Sequence, residues 1–84
     1  MPPSITRSPQ QLGHVIQGFR KARNLTQIEL ARLSDQRQEM ISKIETGQGG
    51  VAISTIYEVL AALGLEMTIA PRTRSSASDI ASIF

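Results

Sequence analysis

Residues 26–47, TQIELARLSDQRQEMISKIETG, constrain the fold of this chain more than any other segment. Two stretches of apolar residues at helical spacing flank Ser34-Asp35-Gln36, which is long enough only for a turn. Thr26 with Glu29 three residues later forms a capping box, and Leu25 and Leu30 occupy the two positions of a hydrophobic staple. Leu30, Ala31 and Leu33 are expected to face inward. A following helix is expected from about Arg37 to Glu45, with Met40, Ile41 and Ile44 as its apolar positions. Gly47 ends it, because glycine takes the left-handed conformation at low cost.

The flanking sequence supplies the remaining elements. Ser8-Pro9-Gln10-Gln11 starts a helix: serine can cap, proline fits the first turn and Gln11 can close a second capping box. Leu12, Val15, Ile16 and Phe19 form its apolar stripe, and it runs to about Ala22 or Arg23. Gln48-Gly49-Gly50 reads as a loop. A fourth helix is expected over about Ile53 to Leu63, with Ile53, Ile56, Tyr57, Leu60 and Leu63 buried and Gly64 as its stop. The period then changes. Leu65, Met67 and Ile69 alternate with Glu66, Thr68 and Ala70, a strand pattern closed by Pro71. One strand in an otherwise helical chain has no partner, and an open edge invites pairing. The simplest partner is the same strand of a second copy across a two-fold axis. The expected organisation is an arm over 1–7, a folded domain over 8–71 and a disordered, Ser-rich tail over 72–84, in which Ile80, Ile83 and Phe84 are apolar.

Composition excludes several function classes. The chain has 84 residues and no cysteine, so it can form neither disulfides nor thiolate metal sites. No segment reaches the roughly 20 apolar residues that span a bilayer, and the N-terminus does not read as a signal peptide. The expected location is the bacterial cytoplasm, at the nucleoid when DNA is bound. The one histidine, His14, has no catalytic companion in its neighbourhood, and no phosphate loop or metal-ligand spacing is present. The chain is therefore expected to be no enzyme and to need no cofactor. Net charge is only +2, but Arg20, Lys21, Arg23, Arg32, Arg37 and Lys43 cluster in or beside the helical hairpin. Such clustering suits contacts to phosphates.

Two short helices around a tight turn, the second polar on its exposed face, form the pattern of a helix-turn-helix, whose second helix enters the DNA major groove. The expected DNA-contacting residues are Gln27, Gln36, Arg37, Gln38, Glu39, Ser42, Lys43 and Gln48. Arg37 can pair with guanine through two hydrogen bonds, Gln38 with adenine, and Glu39 can accept from cytosine. Gln27 opens its helix, where free N–H groups favour a phosphate. Arg20 and Glu45 lie at the margins of apolar stripes on helices that must pack together, so they are expected to form a structural salt bridge.

Phe19-Arg20, TQIELA, MISKIETG and VLAALGL together resemble the Xre/Cro-type helix-turn-helix family over residues 12–64. Its pattern is met by Gln27, by Ile41, Ser42, Ile44, Glu45 and Gly47, and by Arg20 paired with that glutamate. The resemblance implies a mainly α, four-helix, lambda-repressor-like domain. SPQQL and LEMTIAPR narrow it to the HipB-like antitoxins. That subfamily implies a final strand pairing across a homodimer, through Leu65, Met67 and Ile69 here. It also implies a HipA-like serine/threonine kinase toxin as partner and repression of the shared operon from a palindromic operator. The turn departs from the family pattern. Asp35 stands where glycine is usual, Gln36 where an apolar residue is usual, Ser34 where Leu or Ile is usual, and Leu33 in a polar position. The alternative function is a stand-alone repressor with no toxin partner. The apolar Ile80, Ile83 and Phe84 favour the antitoxin, since such a tail can dock into a partner on binding.

Overall fold

In the computed structural model, which describes residues 3–72, four helices account for the regular structure: α1 (Pro9–Ala22), α2 (Gln27–Leu33), α3 (Gln38–Glu45) and α4 (Ile53–Ala62). Each start follows from local chemistry where cap residues are present. The Ser8 side chain accepts from the Gln11 backbone N–H at 3.1 Å, and Pro9 fills the first turn. The reciprocal half of that expected box is missing, because Gln11 Oε1 accepts from the Arg7 N–H instead. At α2 both halves form. Glu29 N–H donates to Thr26 Oγ1 at 3.0 Å, and Thr26 N–H to Glu29 Oε1 at 2.8 Å. These bonds hold the exposed Glu29 carboxyl below its usual range, the Thr26 backbone N–H contributing most and its side chain next.

All four helices stop in the same way. Asn24, Asp35, Gly47 and Gly64 have positive φ (56°, 57°, 78° and 69°). After each, the next residue's N–H reaches back to a carbonyl in the last turn: Leu25 to Arg20, Gln36 to Ala31, Gln48 to Lys43 and Leu65 to Leu60. The left-handed residue itself bonds inside that ring, which makes each end a Schellman motif. Asp35 thus performs the glycine's part in the turn between α2 and α3, since aspartate tolerates this conformation better than most residues.

The core is formed by Ile16, Leu30, Ala31, Ile41, Ile44, Ile56, Val59, Leu60 and Leu63. Helix α3 packs against both α1 and α2, and α4 packs against α2. Fully burying an Ile or Leu contributes about 1.5–3 kcal/mol, so these side chains fix how the helices sit.

Three core expectations and one helix start are corrected. Leu33 is 62% exposed, while Ser34 next to it is buried and donates its hydroxyl to the Leu30 carbonyl at 2.7 Å. Serine can occupy this apolar slot because a backbone acceptor one turn back satisfies it. Ile53 (64% exposed) and Tyr57 (49%) lie on a flank of α4, and Val59 takes the inward position. Residues 56, 59, 60 and 63 share a narrower face than the stripe read from the sequence. Finally, Arg37 is the N-cap of α3 rather than its first helical residue.

Residues 65–70 hold no strand in the single chain. Leu65 packs on the core, while Met67 and Ile69 are exposed, Ile69 at 91%. No helix among the described residues is long and apolar enough to cross a membrane. The expectations for Ile80, Ile83 and Phe84 lie outside the described residues.

Candidate nucleic-acid interface

The site begins with a close approach of two helices. Gly13 on α1 is buried against the end of α3. A Cβ placed there would lie 2.3 Å from the Ile44 carbonyl oxygen and 2.7 Å from that of Glu45. Gly47 is similarly tight, with Gln10 backbone atoms 2.6 Å from a notional Cβ. Gln10 Nε2 then donates to the Gly47 carbonyl at 3.4 Å. These two glycines let the start of α1 seat directly on the C-terminal end of α3. Gly47 was legible as a helix stop, but nothing in the sequence marked Gly13 as more than a helical glycine.

A buried ion pair fixes the same two helices. Arg20 Nε donates to Glu45 Oε2 at 2.7 Å and Nη2 to Oε1 at 3.1 Å, with side-chain exposures of 9% and 1%. Arg20 Nη1 also donates to the Leu25 carbonyl at 2.7 Å. The two-pronged geometry satisfies both carboxylate oxygens, a condition for a buried pair to be tolerated.

The network continues outward. Gln27 Nε2 donates to Glu45 Oε1 at 3.1 Å, and Gln38 Nε2 donates to Gln27 Oε1 at 2.7 Å. A continuous hydrogen-bonded chain therefore runs from Arg20 through Glu45 and Gln27 to Gln38, the first residue of α3. Gln27 and Gln38, expected separately as DNA contacts, are joined to one another.

The other expected contact residues fall on or beside the same element. Arg37, Gln38 and Glu39 are exposed at the N-terminus of α3, and Ser42 and Lys43 are half-buried one turn on. Gln48 is exposed in the loop after α3, where its Nε2 donates to Thr46 Oγ1 at 3.2 Å. Gln36 departs from the group. Its side chain turns toward α4, and Nε2 donates to Glu58 Oε2 at 2.5 Å. His14 is exposed on α1, and no group of three His, Cys, Asp or Glu that could hold a metal occurs among the described residues.

The result is a short helix with a neutral polar residue and both charge signs at its exposed start, braced from behind by a buried ion pair. The family model for the helix-turn-helix matches residues 16–69. The chain belongs to this family. Its members are DNA-binding regulators, not enzymes. A Mycobacterium tuberculosis protein that bears the antitoxin name HigA2 is 38% identical over 55 residues, 64% of this chain. The match spans 54%, about half, of that relative's length. Among solved structures, HipB with its O4 20mer superposes with a TM-score of 0.78 at 28% identity, covering 84% of this chain and all of HipB. The HipA–HipB–O2–O3 complex gives 0.77 at 28% identity, with the same coverage. The restriction-modification controller protein C.AhdI of Aeromonas hydrophila gives 0.64 at 29%, over 69% of this chain and 84% of the controller.

Proposed function

We propose that this chain is a sequence-specific DNA-binding antitoxin and autorepressor that acts as a homodimer on a palindromic operator and restrains a HipA-like serine/threonine kinase. The observation that carries the DNA part is the braced start of α3. Arg37, Gln38 and Glu39 lie at the start of a helix whose position is fixed from Arg20 outward, so base edges meet a helix already held in place. In this reading Arg37, Gln38, Glu39, Ser42 and Lys43 supply most of the sequence preference. Gln27 and Gln48 approach phosphates, which fix register and make affinity salt-dependent.

The dimer rests on residues 65–70. Exposed Met67 and Ile69 beside half-buried Leu65 form an apolar edge that a second copy covers by pairing across the two-fold axis. Such a dimer sets its two α3 helices about 34 Å apart, one DNA turn. The kinase part rests on the likeness to HipB over the whole length of that chain, including HipB in complex with HipA. Ile80, Ile83 and Phe84 are the segment proposed to contact that partner. The likeness to a restriction-modification controller favours a second reading, a stand-alone repressor.

The test takes DNA first. A duplex enriched by the wild-type protein from a randomised library is titrated with Arg37→Ala and Lys43→Ala. Each variant weakens binding, Arg37→Ala by about 1–3 kcal/mol and with relaxed preference at one base pair. Unchanged binding in both removes α3 from the interface. The kinase part is tested by adding the chain to the purified product of an adjoining kinase-like reading frame. Undiminished kinase activity at saturating protein leaves the stand-alone repressor.

A further inference from the structure

The four similar helix ends divide into two with an apolar plug, at α1 and α4, and two, at α2 and α3, with a glutamine in its place. After the left-handed residue, α1 continues with Leu25 and α4 with Leu65, and both leucines pack on the core. This is the apolar contact that usually accompanies such an end. At the end of α2 the equivalent residue is Gln36, and the buried residue two before it is Ser34. The turn that leads into α3 therefore has no apolar plug. Gln36 is half-buried, and its Nε2 donates to Glu58 Oε2 on α4 at 2.5 Å and to the Ser34 carbonyl at 3.3 Å. Arg37, which follows, makes no side-chain capping bond. The start of α3 is thus tied on one side by Gln38 to Gln27 of α2 and on the other by Gln36 to Glu58 of α4.

We propose that Glu58 is a positioning residue for α3, acting through Gln36. The inference rests on α3 being the helix that reads DNA, and it assigns Gln36 to the support of that helix rather than to base contact. A carboxylate is the stronger acceptor for an amide N–H, since charge-assisted hydrogen bonds exceed neutral ones. The latch holds the backbone just before Arg37 while leaving the Arg37 side chain open to solvent. Electrostatics separates this role from a charge effect. Removing a negative charge strengthens binding to any duplex, whereas loosening the start of α3 weakens only the preferred one.

The experiment uses the full chain and two probes. One is the duplex of roughly 30 base pairs that wild type enriches from a random library, long enough for two half-sites one turn apart. The other is a scrambled duplex of the same composition. Glu58→Ala lowers the ratio of preferred to scrambled affinity about tenfold, the scale of one misplaced base contact. Glu58→Gln, which loses the charge but keeps an acceptor, stays within about threefold of wild type. Thermal midpoints of both variants stay within about 2 °C of wild type, because the residue is exposed. A readout that needs no DNA accompanies this. The Met40 and Ile41 amides, which bond to the Arg37 carbonyl, exchange about fivefold faster in Glu58→Ala while the Leu30 amide of α2 does not change. An unchanged ratio with unchanged exchange overturns the proposal, as does failure of Glu58→Gln to restore either. If wild type enriches no duplex, the DNA reading falls, and the exchange rates still decide whether Glu58 holds α3.

Discussion

Gly13 and Gly18 sit on the same helix, five residues apart, and the structure assigns them opposite responses to alanine. Alanine in a helix interior is favoured over glycine by about 1 kcal/mol. At Gly18, where nothing lies within 4 Å of a notional Cβ, that gain is realised in full. It raises the thermal midpoint by about 4–8 °C for a domain this small. At Gly13 the same gain is set against a Cβ 2.3 Å from the Ile44 carbonyl oxygen. Returning that contact to 3.0 Å moves α3 outward by about 0.7 Å. Neither obstructing atom is a side chain that can rotate away, since both are backbone oxygens of α3. A gap of about 0.5–1 Å forfeits a quarter to a half of the dispersion contact across it, here in the α1–α3 packing to which the core residues Ile16, Ile41 and Ile44 belong. Overpacking of this kind costs about 1–3 kcal/mol. The net change for Gly13→Ala is a loss of up to about 2 kcal/mol, and the two alanine variants differ by about 1–3 kcal/mol. Urea denaturation followed by helical circular dichroism, at one protomer concentration throughout, measures both. If Gly13→Ala is as stabilising as Gly18→Ala, the close seating of α1 on α3 is wrong.

Two further predictions concern the brace and the cap. Arg20→Met leaves the Glu45 carboxylate buried without its cation and costs about 3–5 kcal/mol, a large part of the roughly 4–13 kcal/mol expected for a chain of this size. The double variant Arg20→Met/Glu45→Met recovers most of that loss, and a single-variant loss below about 1 kcal/mol by urea denaturation would count against a desolvated pair. The capping box gives a pH dependence. The folded-state pKa of Glu29 is depressed, so its contribution is present above the unfolded glutamate value of about 4.3 and is lost as pH falls through the lower folded value. Glu29→Gln removes the titrating carboxyl, so the acid limb of its stability curve is shallower than wild type; parallel acid limbs in the two proteins would refute this.

What the sequence revealed tracks where the decisive interaction is local. Ser8, the Thr26–Glu29 box and Gly47 act within a few residues of themselves, and their helix ends lie where those residues put them. The start of α3 lies one residue later than expected because Gln36 and Arg37 carry no cap chemistry. Leu33 and Ser34 were exchanged because hydrophobicity alone ranks them the wrong way. Serine wins the buried slot only through a bond to the Leu30 carbonyl, which is a property of the folded turn. Ile53, Tyr57 and Val59 are all apolar, so only the packing of α4 against α2 separates the inward residue from the other two. Gly13 differs from Gly18 solely in what approaches it from elsewhere in the chain. The Arg20–Glu45 pair was legible because both residues sit at the margins of stripes that had to face one another. The continuation of that pair through Gln27 to Gln38 was not, because it depends on the angle between α2 and α3.

The four left-handed helix ends carry a consequence for the order in which this chain acquires its shape. Each end closes within six consecutive residues, so the helix boundaries are specified locally, while helices this short need packing to persist. Helical domains dominated by such near-neighbour contacts fold in microseconds to milliseconds. The Arg20–Glu45 pair bridges 25 residues and must wait for the rest. Docking of α1 onto α3 is then the step that gives these short helices the packing that holds them, so the chain acquires its helices and its outward face together.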